Sequence, residues 1–451
     1  MALSGLQIFK MLPKTNCKDC GYPTCMAYAL QLAVGKASLD ACPHLAPEIA
    51  ATLAEVSAPA VRRLEFGDIA APVVLGEETV LYRHEKRFEH APVLALHLDD
   101  SMDDDRFTDA LAVLADQVFE RVGDELRVQA VVVAARDAGI LAERARRVVQ
   151  DTPCALILRS DDAASLRGAA LAAAVVGHRP LLWGASADRF DDVAGVALEL
   201  GLPLVVRGSS LDELAGLGQR CLDMGLSQVA LDPMATDARE ALAAQVLLRR
   251  AAVRDRVKAL GFPLIASPFA MSQDPLLKTV LASALIAKYA GIVVIDTLDP
   301  AHVLPLLALG QGLYTDPQRP MMVEEGLYPI GDPGPDSPVL LTTNFSLTYY
   351  TVTGEIANSR VPAWLLVMDV DGQSVLTAWA AGKFVADAIA PFVQRSGVAG
   401  KVAKRQLIIP GYVASIQTEL EEELGDWEVV VGVREAADIP RFLKSRAEVR
   451  P

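Results

Sequence analysis

Short apolar runs recur at regular intervals along the middle of the chain. They are Val93–Leu98, Val128–Ala134, Ala155–Leu158, Pro180–Trp183, Pro203–Val206, Gln228–Leu231, Pro263–Ala266 and Ile292–Ile295. They lack the apolar–polar alternation of a half-exposed strand. Runs of this length bounded by turn formers fit strands buried on both faces of a parallel sheet. The segments between them carry helical spacing, as in Phe107–Phe119 and Ala163–Val176. Eight βα units over roughly 230 residues have the count and length of a (β/α)8 TIM barrel. An open doubly wound sheet with extra strands is the alternative; the barrel is favoured because the count closes at eight.

Gly326–Pro338 is rich in Gly, Pro and Asp and reads as a linker. Beyond it the pattern resumes with strands Val339–Leu341, Trp364–Met368, Gln406–Ile409 and Glu428–Val431. Helical segments Leu347–Ala357, Val375–Gln394 and Ser415–Leu424 separate them. This predicts a small Rossmann-like parallel sheet. Ligands of such sheets bind outside the carboxyl ends of the strands. The four ends carry Thr342, Thr343 and Asn344; Gly372, Gln373 and Ser374; Gly411 and Tyr412; and Gly432 and Arg434. Small residues there let a large flat ligand approach the backbone, and hydroxyls and amides can bond its substituents. Ordinary turn chemistry explains the same residues about as well. A dinucleotide is disfavoured, since no G-x-G-x-x-G follows any strand.

Composition narrows the picture. The chain has 451 residues, 52% hydrophobic and 22% charged, with net charge −15. That length predicts two or three domains. The charge argues against nucleic acid as a partner. The most apolar stretch, Val280–Leu298, is interrupted by Lys288, so no membrane span is expected. No cationic region followed by a long apolar run opens the chain, so an intracellular, cytoplasmic location is expected.

Four of the six cysteines form the pattern Cys17-x2-Cys20-x4-Cys25-x16-Cys42, whereas Cys154 and Cys221 stand far apart. In a reducing compartment such a group points to a metal centre rather than disulfides. Four thiolates complete the shell of a [4Fe–4S] cluster or a structural zinc. Pro43 directly after the last cysteine and a single Cys-x2-Cys pair favour the cluster. His44 reads as a surface residue, because the shell is already full.

Polar residues follow most barrel strands, among them Asp99, Asp100, Asp137, Ser160, Asp161, Ser186, Arg207, Asp232, Ser267, Asp296 and Thr297. Barrel active sites use that face; helix capping accounts for the same residues. No nucleophile or acid–base set is visible there, so the barrel reads as a scaffold. All six histidines, the last being His302, precede the C-terminal sheet. A cobalt held by that sheet has no histidine from it as lower ligand.

Taken together, the cysteine group, the barrel and the segments Thr342-Thr343-Asn344-Phe345, Asp371-Gly372-Gln373-Ser374-Val375-Leu376-Thr377-Ala378-Trp379 and Ile409-Pro410-Gly411-Tyr412 resemble the large (gamma) subunit of the corrinoid iron–sulfur protein. That family serves the acetyl-CoA synthase/decarbonylase, or Wood–Ljungdahl, system of anaerobic carbon fixation. The resemblance implies three domains: a [4Fe–4S] module over 1–60, a barrel with its lead-in over 61–325, and a corrinoid (cobamide) domain over 326–451. It implies Cys17, Cys20, Cys25 and Cys42 as iron ligands. Contacts to a base-off corrinoid would come from the strand-end residues above, with Val375, Leu376 and Thr377 following Ser374. It places Ser374 or Thr377 nearest cobalt, although Ser374 also fits a helix N-cap. It implies a methyl carrier, of the kind grouped with Co-methyltransferases. Its partners would be the small (delta) subunit in a heterodimer, a pterin methyltransferase and acetyl-CoA synthase/CO dehydrogenase. Leu53–Pro72 and Gly326–Pro338 are the expected hinges. A pterin-binding barrel methyltransferase using Asp99, Asp137 or Asp232 is one alternative, and a corrinoid-free electron-transfer protein the other.

Overall fold

A computed structural model describes residues 5–33, 37–50, 53, 58–174, 177–316 and 320–448. The chain divides into two compact units, residues 1–117 with 127–314, and residues 118–126 with 315–451.

In the first unit, helices α1 (Gly5–Met11) and α2 (Cys25–Ala33) pack closely. A Cβ on Gly5 would lie 2.6 Å from Leu30 Cδ2 and 3.2 Å from Leu30 Cα, so the glycine lets the two helices approach without moving the Leu30 side chain. Ile8, Leu12, Tyr28, Ala29 and Leu53 form a small core around the buried Cys25.

The barrel strands are β1 (Val93–Asp99), β2 (Ala130–Ala134), β3 (Ala155–Arg159), β4 (Leu181–Ala185), β5 (Leu204–Arg207), β6 (Val229–Asp232), β7 (Leu264–Ala266) and β8 (Ala290–Ile295). All are parallel, each pairs with its neighbours in sequence, and β8 closes on β1. Each predicted apolar run coincides with one strand to within two residues. The reason is visible in the burial: the barrel interior takes Ala95, Val132, Ile157, Trp183, Val205, Ala230, Ile265 and Val294, while the alternate residues are buried under the outer helices. Both faces being covered, alternation disappears. A hairpin of Leu64–Asp68 and Val73–Leu75 puts Leu64, Phe66 and Leu75 into the same core. Gly67 (φ 100°) sits against Ala155 at the amino end of β3, so the hairpin plugs the bottom of the barrel.

The second unit is a five-stranded sheet of β9 (Gly326–Ile330), β10 (Val339–Thr343), β11 (Ala363–Met368), β12 (Gln406–Ile409) and β13 (Glu428–Val431), in the order β9-β11-β10-β12-β13. The last four strands in sequence are mutually parallel, and β9 is an antiparallel edge. Helices α3 (Ser346–Ser359) and α7 (Ile439–Glu448) cover one face over Leu340, Leu365, Val367 and Ile408. The other face carries Leu341, Leu366, Leu407 and Val429. It is covered by α5 (Ala386–Arg395) and α6 (Gln417–Leu424), which follow the short α4 (Val375–Ala380). The hairpin Phe119–Arg121/Asp124–Leu126, inserted between the first two barrel strands, groups with this unit.

Three expectations need correction. Gly326–Pro338 is not wholly linker or hinge, because Gly326–Ile330 is β9. Its Pro329 is tolerated on an edge strand, where no further partner needs its missing N–H. Val375–Gln394 is not one helix: the chain turns at Gly382 (φ 72°) between α4 and α5. The other proposed hinge, Leu53–Pro72, contains the paired strand Leu64–Asp68, and its residues 54–57 lie outside the described residues. Among the described residues no helix is long and apolar enough to cross a membrane.

Candidate functional site

The cysteine loop is shaped by backbone conformation. Lys14 (φ 61°), Asn16 (φ 49°), Lys18 (φ 71°) and Gly21 (φ 82°) are all left-handed, so the chain curls between α1 and α2 rather than extending. Asn16 locks this curl. Its side-chain oxygen accepts from Cys25 N at 2.8 Å, and its own N–H points at Cys25 Sγ at 3.4 Å. Cys20 and Cys42 pack against the core that holds Cys25. Between them lies Tyr28, whose hydroxyl donates to Ser38 O (2.7 Å) and Leu39 O (3.1 Å). Burial pushes the Tyr28 phenol up to about 12, with Cys42 and Cys20 adding to the effect. Cys17 is exposed, with His44 and Asp19 beside it; all four thiols are free of disulfides. His44 Nε2 meets Asp19 Oδ2 at 2.6 Å, and this hydrogen bond is the main reason the Asp19 carboxyl is held below its ordinary range. His44 is thus engaged at the surface. The donor set of four thiols, one with an amide N–H already aimed at its sulfur, suits an iron–sulfur cluster.

In the second unit, the strand order reverses between β10 and β12. An open α/β sheet forms its ligand crevice at such a point, because the flanking helices depart to opposite faces. A cleft of about 250 Å³ opens there. All of β10, β12 and β13 reach it at their carboxyl ends, through Thr342, Pro410 with Tyr412, and Gly432 with Arg434. The segment after β11 adds Ser374 and, from the first turn of α4, Val375 and Leu376. The remaining wall is apolar and comes from the helices on one face: Val352 of α3 and Ile439 and Phe442 of α7. Nothing in the sequence reading anticipated α7 or this wall. The helical spacing of Ile439, Phe442, Leu443 and Ala447 was the available signal.

The other expected contact residues do not line the cleft; they build its rim. Thr343 is fully buried at the end of β10. Asn344, 3% exposed, accepts from Val370 N (3.1 Å) and Gly372 N (3.0 Å) and donates to Asp369 Oδ1 (2.8 Å). It therefore clamps the loop after β11. Gly372 (φ 68°) backs onto Met322, whose Cγ a Cβ would meet at 2.5 Å. Gly411 lies against the Gly432–Arg434 backbone, so a Cβ would sit 2.6 Å from Gly432 O. Thr377 pairs its hydroxyl with that of Ser374 at 3.0 Å. Ser374 occupies the N-cap position of α4 but makes no side-chain capping bond, which leaves its hydroxyl directed at Thr377 instead. Tyr412 donates to Glu435, and this bond is the chief cause of its raised pKa.

Among the described residues, three buried polar atoms of these strand ends have no protein partner: Thr342 Oγ1, Thr343 Oγ1 and Gln373 Oε1. Thr342 Oγ1 lines the cleft, and Gln373 Oε1 lies in the adjoining loop; both are buried. Buried hydroxyl and amide oxygens are normally bonded, so these two are suited to donors on a ligand. An apolar wall, small residues at the strand ends and two idle acceptors fit a large, flat, amide-bearing molecule. The residues present therefore fit a corrinoid.

The polar residues at the barrel's carboxyl ends are mostly spent on local structure. Asp137 caps its helix through Gly139 N and Ile140 N, Asp99 accepts from Ser101, and Thr297 accepts from Asp299 N. Asp232 is buried and bonded to Trp183 Nε1 (3.0 Å) and Arg207 Nε (3.2 Å). His97, inside β1, stacks on Phe269 at 4.7 Å.

A cysteine-centred module, a (β/α)8 barrel and a five-stranded sheet with a ligand crevice define a modular α/β protein with a candidate metal centre and a candidate cofactor cleft. Residues 63–443 match the family described as CO dehydrogenase/acetyl-CoA synthase delta subunit, and residues 12–44 match a family whose description names an Fe–S cluster. The chain is 40% identical to the corrinoid/iron–sulfur protein large subunit of Moorella thermoacetica, over 99% of both chains. It is 31% identical to the acetyl-CoA decarbonylase/synthase complex subunit gamma of Methanocaldococcus jannaschii, over 98% of this chain and 96% of that one. The chain belongs to this family of corrinoid/iron–sulfur large, or gamma, subunits. Among solved structures, a dihydropteroate synthase from Thermus thermophilus covers 55% of this chain and 100% of that one, at 15% identity and TM-score 0.37. The barrel is established by its own strand pairing, not by that likeness.

Proposed function

We propose that this chain is the methyl carrier of acetyl-CoA synthesis or cleavage, with a corrinoid on its C-terminal Rossmann-like sheet and a [4Fe–4S] cluster on Cys17, Cys20, Cys25 and Cys42. When bound, the corrinoid supplies a cobalt that takes a methyl group, as Co(I), from a methylated pterin through a separate methyltransferase and yields it to acetyl-CoA synthase, while the cluster supplies the single electron that returns Co(II) to Co(I). The observation that carries this reading is the cleft at the β10/β12 reversal, with its apolar wall, idle Thr342 hydroxyl and absence of any histidine.

The residues have separable tasks. Val352, Ile439 and Phe442 exclude water from one side of the ligand. Thr342, with Gln373 beside the cleft, offers acceptors to amide substituents. The Ser374–Thr377 hydroxyl pair stands at the start of α4 and would offer a bound corrinoid weak oxygen contacts and no nitrogen ligand. A weak lower ligand keeps cobalt reducible, and axial ligation is the protein's lever on that potential. In the cysteine module, Asn16 N–H bonds the Cys25 sulfur, and the core around Tyr28 partly shields Cys20, Cys25 and Cys42, which would tune a cluster's potential. The small subunit, the pterin methyltransferase and acetyl-CoA synthase/CO dehydrogenase are the proposed partners. The alternatives of a pterin-methylating barrel and of a corrinoid-free electron carrier leave the cleft at the β10/β12 reversal without a role.

Metal analysis with an absorption spectrum of anaerobically prepared protein tests the reading. About one cobalt and four irons per chain, with a base-off corrinoid spectrum that changes on reduction, are expected. Failure to take up any cobamide, with the small subunit present, refutes it.

A further inference from the structure

The carboxyl mouth of the barrel holds a second cavity, of about 510 Å³, that the methyl-carrier reading does not use. Its size is within the usual range of small-molecule sites. Arg136, Arg159, Arg189 and Arg207 all reach it. Arg159 and Arg207 stand one pleat repeat beyond the interior residues Ile157 and Val205, so both side chains face into the barrel.

These two half-buried arginines differ in their partners. Arg207 Nε bonds Asp232, which Trp183 also holds, and its Nη1 lies 3.5 Å from the exposed Asp161. Arg159 lies over the Trp183 ring, 4.6 Å from its centroid, and has no hydrogen bond or ion pair among the described residues. Burial, and then the neighbouring Arg207, push its pKa below the usual guanidinium range. The two guanidinium groups share a half-buried space, and the carboxylates nearest them, Asp232 and the exposed Asp161, pair with Arg207 and do not bond Arg159.

The other aspartates lining the cavity, Asp99, Asp100 and Asp162, do not bond Arg159 either. Asp99 accepts from the Ser101 amide and hydroxyl, Asp100 from Arg136 N, and Asp162 from the Ser165 amide and hydroxyl. The acceptors are thus engaged in turns and a helix start, whereas the Arg159 donors are idle. We propose that the barrel mouth binds a small organic oxyanion, whose carboxylate or phosphate group lies against Arg159 beside Arg207. A planar fork of donors suits either group, and a low-dielectric surround strengthens the contact.

Calorimetric titration of the full chain with inorganic phosphate and, separately, with succinate tests this. One probe is expected to bind with an affinity that falls as salt rises; preference for phosphate or for succinate identifies the group recognised. Arg159→Gln is expected to weaken binding by about tenfold or more, since a charge-assisted contact is lost. Its thermal unfolding should match the parent, because Arg159 has no bonded partner to orphan. Asp161→Asn removes an exposed negative charge from the rim and is expected to tighten binding, which keeps the test open if the arginine variant does not fold. No heat with either probe, equal affinity in parent and Arg159→Gln, or unchanged affinity in Asp161→Asn overturns the proposal.

Discussion

Asn344 offers a sharp test of how the cleft is held open. Its side-chain oxygen accepts from Val370 N and Gly372 N, both in buried settings, and its amide donates to Asp369. Asn344→Ala removes all three bonds and leaves two buried amides without an acceptor. Each orphaned donor costs about 1–3 kcal/mol, so the pair costs about 2–6 kcal/mol if nothing relaxes. Asp369 is exposed and recovers its bond from water, so the third loss adds little. Partial access of water to the loop moves the expectation to the lower half, about 2–4 kcal/mol. Asn344→Asp is the informative partner. It keeps an acceptor for both amides but sets a second carboxylate beside Asp369, so its loss should be smaller at neutral pH and should shrink as pH falls toward the carboxylate range. Urea unfolding of parent and variants, with cobamide retention measured alongside, reads both effects. The alanine variant should also release cobamide faster, because the loop it frees leads into Ser374 and the first turn of α4, with Val375 and Leu376. An alanine variant within about 0.5 kcal/mol of the parent, with unchanged retention, refutes the clamp, since only surface-like sites give such small effects.

Three further outcomes follow from the same geometry. Gly411→Ala should destabilise the C-terminal unit by about 1–3 kcal/mol in urea, because its Cβ would meet backbone of Gly432 and Val433 at 2.6–2.8 Å, and backbone cannot swing away as a side chain can. Burial holds the pKa of His97 and of His178 below the ordinary histidine value. The unfolded chain then binds the proton first, so stability should fall as pH drops below about 6.5, and His178→Asn should reduce that slope in melting temperature measured against pH. Burial pushes the Cys154 and Cys221 thiols up to about 11 and about 12, so iodoacetamide followed by mass mapping should leave both unmodified in native protein while Cys17 reacts once the metal is stripped.

The barrel was legible because its physics is local and repeated. Each strand is short, apolar on both sides and closed by a turn, so eight similar segments announce themselves without knowledge of the pairing. β9 escaped for the opposite reason. It is an edge strand with an exposed Pro329, and its Gly, Pro and Asp surroundings are what a linker also contains. The break between α4 and α5 hung on one residue, Gly382, in a segment whose apolar spacing continues on both sides.

At the cleft, the strand-end residues were legible as a set, but their division of labour was not. Thr342, Ser374 and Arg434 face the cavity, while Asn344, Gly372 and Gly411 hold the loops that form it. Spacing along a strand shows which residues reach its end, not which way a loop turns afterwards. That turn is decided by contacts distant in sequence: Asn344 reaching across to Gly372, Met322 closing behind Gly372, and Gly432 lying against Gly411. The same holds for the apolar wall. Ile439 and Phe442 belong to a helix that follows the last strand, and only its packing beside α3 on one face of the sheet turns them toward the crevice. Residues that recognise a ligand and residues that fix the recognising loop thus share one composition, rich in Gly, Thr, Ser and Asn. Contact geometry separates them, and substitutions should separate them again: changes at Thr342 should alter cofactor affinity with little effect on unfolding, and changes at Asn344 should alter both.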